Sequence, residues 1–305
     1  MRQLMKFGIA KLLAAALCLT LIASPASTEE RPLVITVNYA IKYFAERLLG
    51  NTAEVRLPVP ADTDPSFWRP SIADISAIQN ADLILLNGAG FATWVDRVSL
   101  PRSRVANTSA AIENLFIVTE SITHSHGDGG EHSHEGLASY LWLDPTLAIA
   151  QAEAIASAVK RKGLMSSDEV DVALASFVSE LNALDSEISK ALDGLENITL
   201  IATHPRYEYF ARRYGLTIES LEWEAGAMPN AEQLDALANL KDNIGASVLI
   251  WEGPPPEAAI DAALALGLQS AVFPPLAHAP SDLDYIATMA KAANDVAEAA
   301  RAAGL

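Results

Sequence analysis

The sequence predicts an α/β fold: two pseudo-repeated lobes with parallel sheets, joined by a long rigid helix. Three observations predict it. Short apolar runs alternate with helix-period stretches, the order that parallel sheets require. Two pairs of segments recur at nearly one offset. One long amphipathic stretch lies at the boundary between the copies.

Leu33–Val37 is a β-branched run after Pro32 and reads as a buried strand. A helix follows over Ile41–Leu49 and contains Tyr43-Phe44-Ala45-Glu46-Arg47. Ile198–Thr203 is a second such strand, and it leads to Tyr209-Phe210-Ala211-Arg212-Arg213, 166 residues after the first copy. Ala81–Gly88 and Ala246–Gly253 are apolar strands that end in a polar residue and glycine, with Gly88 and Gly253 165 apart. Each follows a helix pattern, Ile72–Gln79 and Ala231–Leu240, with Pro70 or Pro229 just before it. Two matches at one offset point to duplication. The lobes are expected at 31–160 and 197–305.

Between them, Phe177, Leu181, Leu184, Ile188 and Leu192 recur at three- and four-residue steps within 166–195. They form one apolar helix face. Ser166 or Ser167 can cap its start, with acidic residues in the first turn. A thirty-residue helix would be about 45 Å long, enough for a stiff spine along both lobes.

The 305 residues are 50% hydrophobic, ample for a core, and carry a formal charge of −17. That balance argues against a nucleic-acid partner, which needs Lys and Arg against phosphate. Residues 1–26 read as an export signal: Arg2, Lys6 and Lys11 precede an apolar run over 12–23, and Ser24 and Ala26 are small residues before a cleavage point near Ala26. Cleavage would leave 18 basic against 38 acidic residues, a net of −20. The single cysteine, Cys18, would leave with the signal. Leu17 before it speaks against lipidation. The expected location is a bacterial periplasm, and the expected state a monomer.

In parallel α/β sheets, ligands bind beyond the carboxyl ends of the strands. The repeat places Asn38 and His204 at equivalent strand ends, and likewise Asn87 and Glu252. All four are expected to face one cleft. Trp68, Trp142, Trp223 and Trp251 lie near strand ends and are expected to pack around it. Asp144-Pro145 reads as a helix start. Residues 124–135 hold His124, His126, His132 and His134, diluted by Gly and Ser. Neutral imidazoles and carboxylates suit zinc and similar metals, so this loop reads as an accessory metal-capture segment.

Several stretches then resemble the cluster A-I metal-binding proteins of ABC transporters, the periplasmic zinc- and manganese-binding family. They are VPADTDPSFWRPS (59–71), ADLILLNGAG (81–90), YLWLDP (140–145), HPRYEYFARRYGL (204–216) and VLIWEG (248–253). The histidine-rich loop just before YLWLDP fits the zinc members. The resemblance covers essentially the whole mature chain. It implies two α/β lobes, a rigid linking helix and delivery of a divalent metal to an inner-membrane permease.

It also implies four metal ligands, and three positions depart. Ser66 stands at the first histidine position, Tyr140 at the second and Pro274 at the fourth; His204 matches the third. A rebuilt site would use His204, Glu252 and His278, with Tyr140, Asp282 or Asp284 completing it. Zn2+ is the expected cargo, with Mn2+ or iron as alternatives. Other readings are a periplasmic zinc buffer or chaperone acting through the loop, or a degenerate binding protein for a non-metal ligand. No Ser–His–Asp set has motif support, so an enzyme is not expected.

Overall fold

The computed structural model describes residues 31–119, 136–196 and 198–305. The export segment and the four loop histidines lie outside them. Among the described residues, no helix is long and apolar enough to cross a membrane.

The N-terminal half holds β1 (Leu33–Thr36), α1 (Tyr39–Leu49), β2 (Glu54–Arg56), α2 (Ile72–Asn80), β3 (Leu83–Leu86) and β4 (Val105–Asn107). The four strands form one parallel sheet in the order β2-β1-β3-β4. A short antiparallel ribbon, β5 (Val118–Thr119) with β6 (Gly136–Leu137), then flanks the histidine-rich segment. The helices α3 (Pro145–Lys162) and α4 (Ser167–Ala191) follow.

The C-terminal half repeats the plan with β7 (Thr199–Ala202), α5 (Glu208–Tyr214), β8 (Thr217–Ser220), α6 (Ala231–Ile244), β9 (Val248–Trp251), α7 (Glu257–Ala265), β10 (Gln269–Val272) and α8 (Tyr285–Ala302). Its parallel sheet runs β10-β9-β7-β8. Substituting β7 for β1, β8 for β2, β9 for β3 and β10 for β4 converts one sheet order into the other. The duplication read from short sequence matches is thus repeated in the topology. The third crossover differs: α7 joins β9 to β10, whereas short 3-10 turns over Thr93–Arg97 and Arg102–Arg104 join β3 to β4.

Local signals explain most helix starts. Asn38 caps α1, Asp144 with Pro145 starts α3, Ser166 caps α4, and Asp284 caps α8. Ser71 with Asp74 and Asn230 with Gln233 form capping boxes on α2 and α6.

The linking helix is shorter than its apolar pattern suggested. It covers 25 residues, about 37 Å, because Leu192 leaves the helix and Gly194 takes a left-handed φ of 80°. Phe177, Leu181, Leu184 and Ile188 are buried along it, each adding about 1.5–3 kcal/mol of hydrophobic stabilisation. Phe177 packs on Phe44 of α1 at 5.4 Å, and Phe44 packs edge-on against Tyr285 of α8 at 5.0 Å. One apolar core therefore runs from the N-terminal sheet across α4 into the C-terminal half. The described residues between 31 and 305 form a single compact unit.

Candidate functional site

The carboxyl ends of β7 and β9 place two functional groups side by side. His204 follows β7 and Glu252 follows β9, and these strands are hydrogen-bonded neighbours. His204 Nδ1 lies 4.0 Å from Glu252 Oε2 and 3.2 Å from the Trp223 carbonyl. A carbonyl only accepts, so Nδ1 carries the proton and Nε2 keeps the free lone pair. Burial first, and the nearby Arg206 guanidinium second, lower the His204 pKa from its usual 6.5. The imidazole is thus held neutral, the form that binds metal.

From the N-terminal half, Asp64 enters the same space. Its Oδ1 accepts from Ser66 N at 2.8 Å and Ser66 Oγ at 2.6 Å, which fixes the carboxylate. Its Oδ2 receives Nη2 of Arg206 at 2.7 Å. Arg206 Nε lies 3.3 Å from Glu252 Oε1, at an angle that makes no hydrogen bond. The guanidinium sits 4.6 Å above the Tyr140 ring, a cation–π contact. The Arg206 side chain is 8% exposed, and the side chains of Glu252 and Asp64 are 13% and 32% exposed. A buried guanidinium therefore joins the two halves at the point where the strand-end donors converge.

Tyr140 is 2% exposed, and its hydroxyl lies beside the Ser66 side chain. Its ring packs on Trp142 at 4.7 Å and Phe91 at 5.7 Å. Burial pushes the phenol well above its usual pKa, with the Arg206 charge opposing. In this state the group is neutral phenol.

The remaining expected residues are placed differently. His278 donates from Nε2 to the Thr63 carbonyl at 2.6 Å, next to Asp64 in sequence. Pro274 and Asp282 help line a separate cavity of about 330 Å³ with Pro254 and Thr288. Asp284 caps α8 and accepts from Tyr43 Oη at 3.0 Å. Among the described residues, no three His, Cys, Asp or Glu side chains stand together as a metal-binding group. His204 and Glu252 meet; His278 does not join them in such a group.

Asn38 and Asn87 do not face the cleft. Both are fully buried. Asn38 caps α1 and donates to Asn87 Oδ1 at 3.4 Å, while Asn87 donates to the Ser139 carbonyl at 2.9 Å and accepts from Gln151. A carboxamide can satisfy both a helix start and its neighbours, so these strand ends are consumed by structure. The four tryptophans near strand ends are all buried, as expected of residues packed around the site.

Asp64 and Arg206 were not anticipated. Their pairing spans 142 positions, and the only sequence hint is a basic residue two places after a strand-end histidine in a strongly acidic chain. The base of the histidine-rich ribbon is also tied to the C-terminal half. Tyr209 Oη accepts from Ile117 N at 3.2 Å and donates to the Ala138 carbonyl at 2.9 Å, and Arg212 donates to the Leu115 carbonyl at 2.7 Å.

Two parallel sheets of matching strand order are joined through α4, and His204 and Glu252 meet at the strand ends of the second. Residues 34–299 match the family described as zinc-uptake complex component A, periplasmic, and the chain belongs to that family. It is 27% identical over 217 residues to the zinc-binding lipoprotein AdcA of Streptococcus pneumoniae serotype 4, covering 69% of this chain and 42% of that protein. It is 26% identical over 220 residues to the high-affinity zinc uptake system protein ZnuA of Bacillus subtilis strain 168, covering 68% and 66%. The chain thus spans about half the length of the streptococcal relatives it matches. Its fold is similar to the metal-dependent lipoprotein YcdH from Bacillus subtilis, with TM-score 0.74 and 20% identity over 88% of this chain and 99% of that one. The Zn(II)-bound ZnuA-like domain of Streptococcus pneumoniae AdcA gives TM-score 0.74 at 19% identity, covering 88% and 98%.

Proposed function

We propose that this protein captures zinc outside the cytoplasm and hands it to an ABC permease in the inner membrane. The observation that carries the reading is the His204–Glu252 pair at the ends of adjacent strands, facing Asp64 from the other half. One neutral imidazole and carboxylate oxygens are zinc-type donors. The Trp223 carbonyl orients the imidazole from behind, leaving Nε2 to the ion. The histidine-rich segment, rooted on the β5–β6 ribbon, makes the first capture. Zinc relatives of the same family support this assignment.

The α4 spine restricts the halves to small relative tilts, so the permease reads a population shift and not a wide hinge closure. The test is zinc content under saturating zinc, compared between the unsubstituted chain and His204→Ala. The variant is expected to lose one equivalent. Deleting residues 124–134 should leave that His204-dependent equivalent in place. Equal zinc content with and without His204 would remove the cleft from the pathway.

A further inference from the structure

We propose that the Arg206 guanidinium is the resident cation of the cleft, and that a divalent metal enters only by displacing it, to be held by His204, Glu252 and Asp64. This rests on the zinc-capture reading and adds to it a third donor and a built-in competitor.

The first argument is position. Arg206 contacts the carboxylates of both halves, Asp64 at 2.7 Å and Glu252 at 3.3 Å, and lies over Tyr140. His204 precedes it by two residues and approaches the same Glu252. The guanidinium therefore stands between Asp64 and the His204–Glu252 pair, which form no three-donor group while it is there, and its departure would have to let them close together.

The second argument is charge. Asp64 and Glu252 bring two negative charges, Arg206 returns one positive charge, and His204 is neutral. The set keeps one uncompensated negative charge. A divalent ion in place of the guanidinium would balance it fully, which matters most where solvent is scarce.

The third argument is incomplete satisfaction. Arg206 Nε is buried without a hydrogen-bond partner. Buried polar groups are normally paired. The Tyr140 ring lies beneath the guanidinium, against the same site. Asp64 is prepared for either occupant. Ser66 holds Oδ1 through two hydrogen bonds, leaving Oδ2 directed at the cation. The serine at the departed family position thus orients the replacement donor.

The consequence is a site whose zinc affinity is set by exchange of cations. Zinc must overcome the Arg206 ion pairs, which weakens binding and favours release. The test uses a chain with His124, His126, His132 and His134 changed to Asn, so that only the cleft counts. Zinc calorimetry is run with and without Arg206→Met, and with Arg206→Gln as a second variant; circular dichroism checks folding. Removal of the guanidinium is expected to tighten one-equivalent binding at least tenfold, and adding Asp64→Asn should cancel the gain. Folded variants that bind zinc no more tightly than their parent overturn the proposal while leaving zinc capture intact. Zinc bound by Arg206→Met but never by the parent shows that the guanidinium is not displaced, which overturns the proposal and sinks delivery through the native cleft. On the unsubstituted chain, phenylglyoxal labelling read by mass spectrometry should find Arg206 protected without zinc and reactive at saturating zinc. Continued protection at saturation overturns displacement independently of any variant.

Discussion

Arg47 and Arg213, equivalent residues of the two repeats, both grip the linking helix. Arg47 of α1 pairs with Glu180, and Arg213 of α5 pairs with Asp185 through two nitrogens. Each is the arginine of a Tyr-Phe-Ala-x-Arg segment. The short sequence echo therefore has a physical content: each half carries the same clamp onto one shared spine.

The clamps differ in strength. Asp185 also accepts from Tyr214 Oη at 3.0 Å, and its side chain is 16% exposed against 37% for Glu180. Arg213→Gln is expected to cost about 1–2 kcal/mol and Arg47→Gln less than about 1 kcal/mol, since the more exposed pair is better screened. Urea titration of both variants checks the order, and equal losses would reject it.

Glu208 gives a pH signature. It opens α5, and burial raises its pKa above 4.5, with the Arg206 charge opposing. The folded state therefore holds the proton more tightly than the unfolded state. Stability attached to this group falls as pH rises from about 4.5 through the raised folded value, then stays level. Glu208→Gln should melt higher than the unsubstituted chain at pH 7, and the advantage should shrink below pH 4.5. Melting curves across that window test the sign.

Gly88 ends the third strand's turn with φ 81°. A methyl group there would run into Ser109 Oγ and Asn107 Oδ1. Gly88→Ala combines left-handed strain with a steric clash and is expected to cost about 2–4 kcal/mol. By contrast, Gly90 has φ 68° but open space where a Cβ would go. Gly90→Ala should therefore cost clearly less, and chemical denaturation of the pair separates crowding from strain.

Trp142 is a junction, fully buried below the site. Its Nε1 donates to the Pro275 carbonyl at 2.8 Å, and its own carbonyl accepts from Tyr285 Oη. Tyr285→Phe strands that carbonyl and should destabilise by about 1–3 kcal/mol. The change leaves His204 and Glu252 untouched. A loss of stability with unaltered zinc stoichiometry is the expected result from paired denaturation and metal analysis.

The strands, the spine and the repeat were legible in the sequence because each rests on local periodicity and on residues that cap their own helices. Ser166, Asp144 and the Phe177–Ile188 face all behave as their neighbours dictate. The cleft was half legible. His204 and Glu252 follow apolar strands and could be placed at sheet ends, but Asn38 and Asn87 at matching ends were drawn into internal hydrogen bonds. A strand-end position fixes where a side chain starts; its final partner depends on what the fold brings opposite.

By itself the sequence determined the two-sheet plan, the linking helix and the family, since these follow from patterns within tens of residues. Only the tertiary structure decided what fills the cleft. Arg206 meets Asp64 across 142 positions, and no periodicity records such a meeting. Ion pairing between distant loops depends on how the two halves close over a common core.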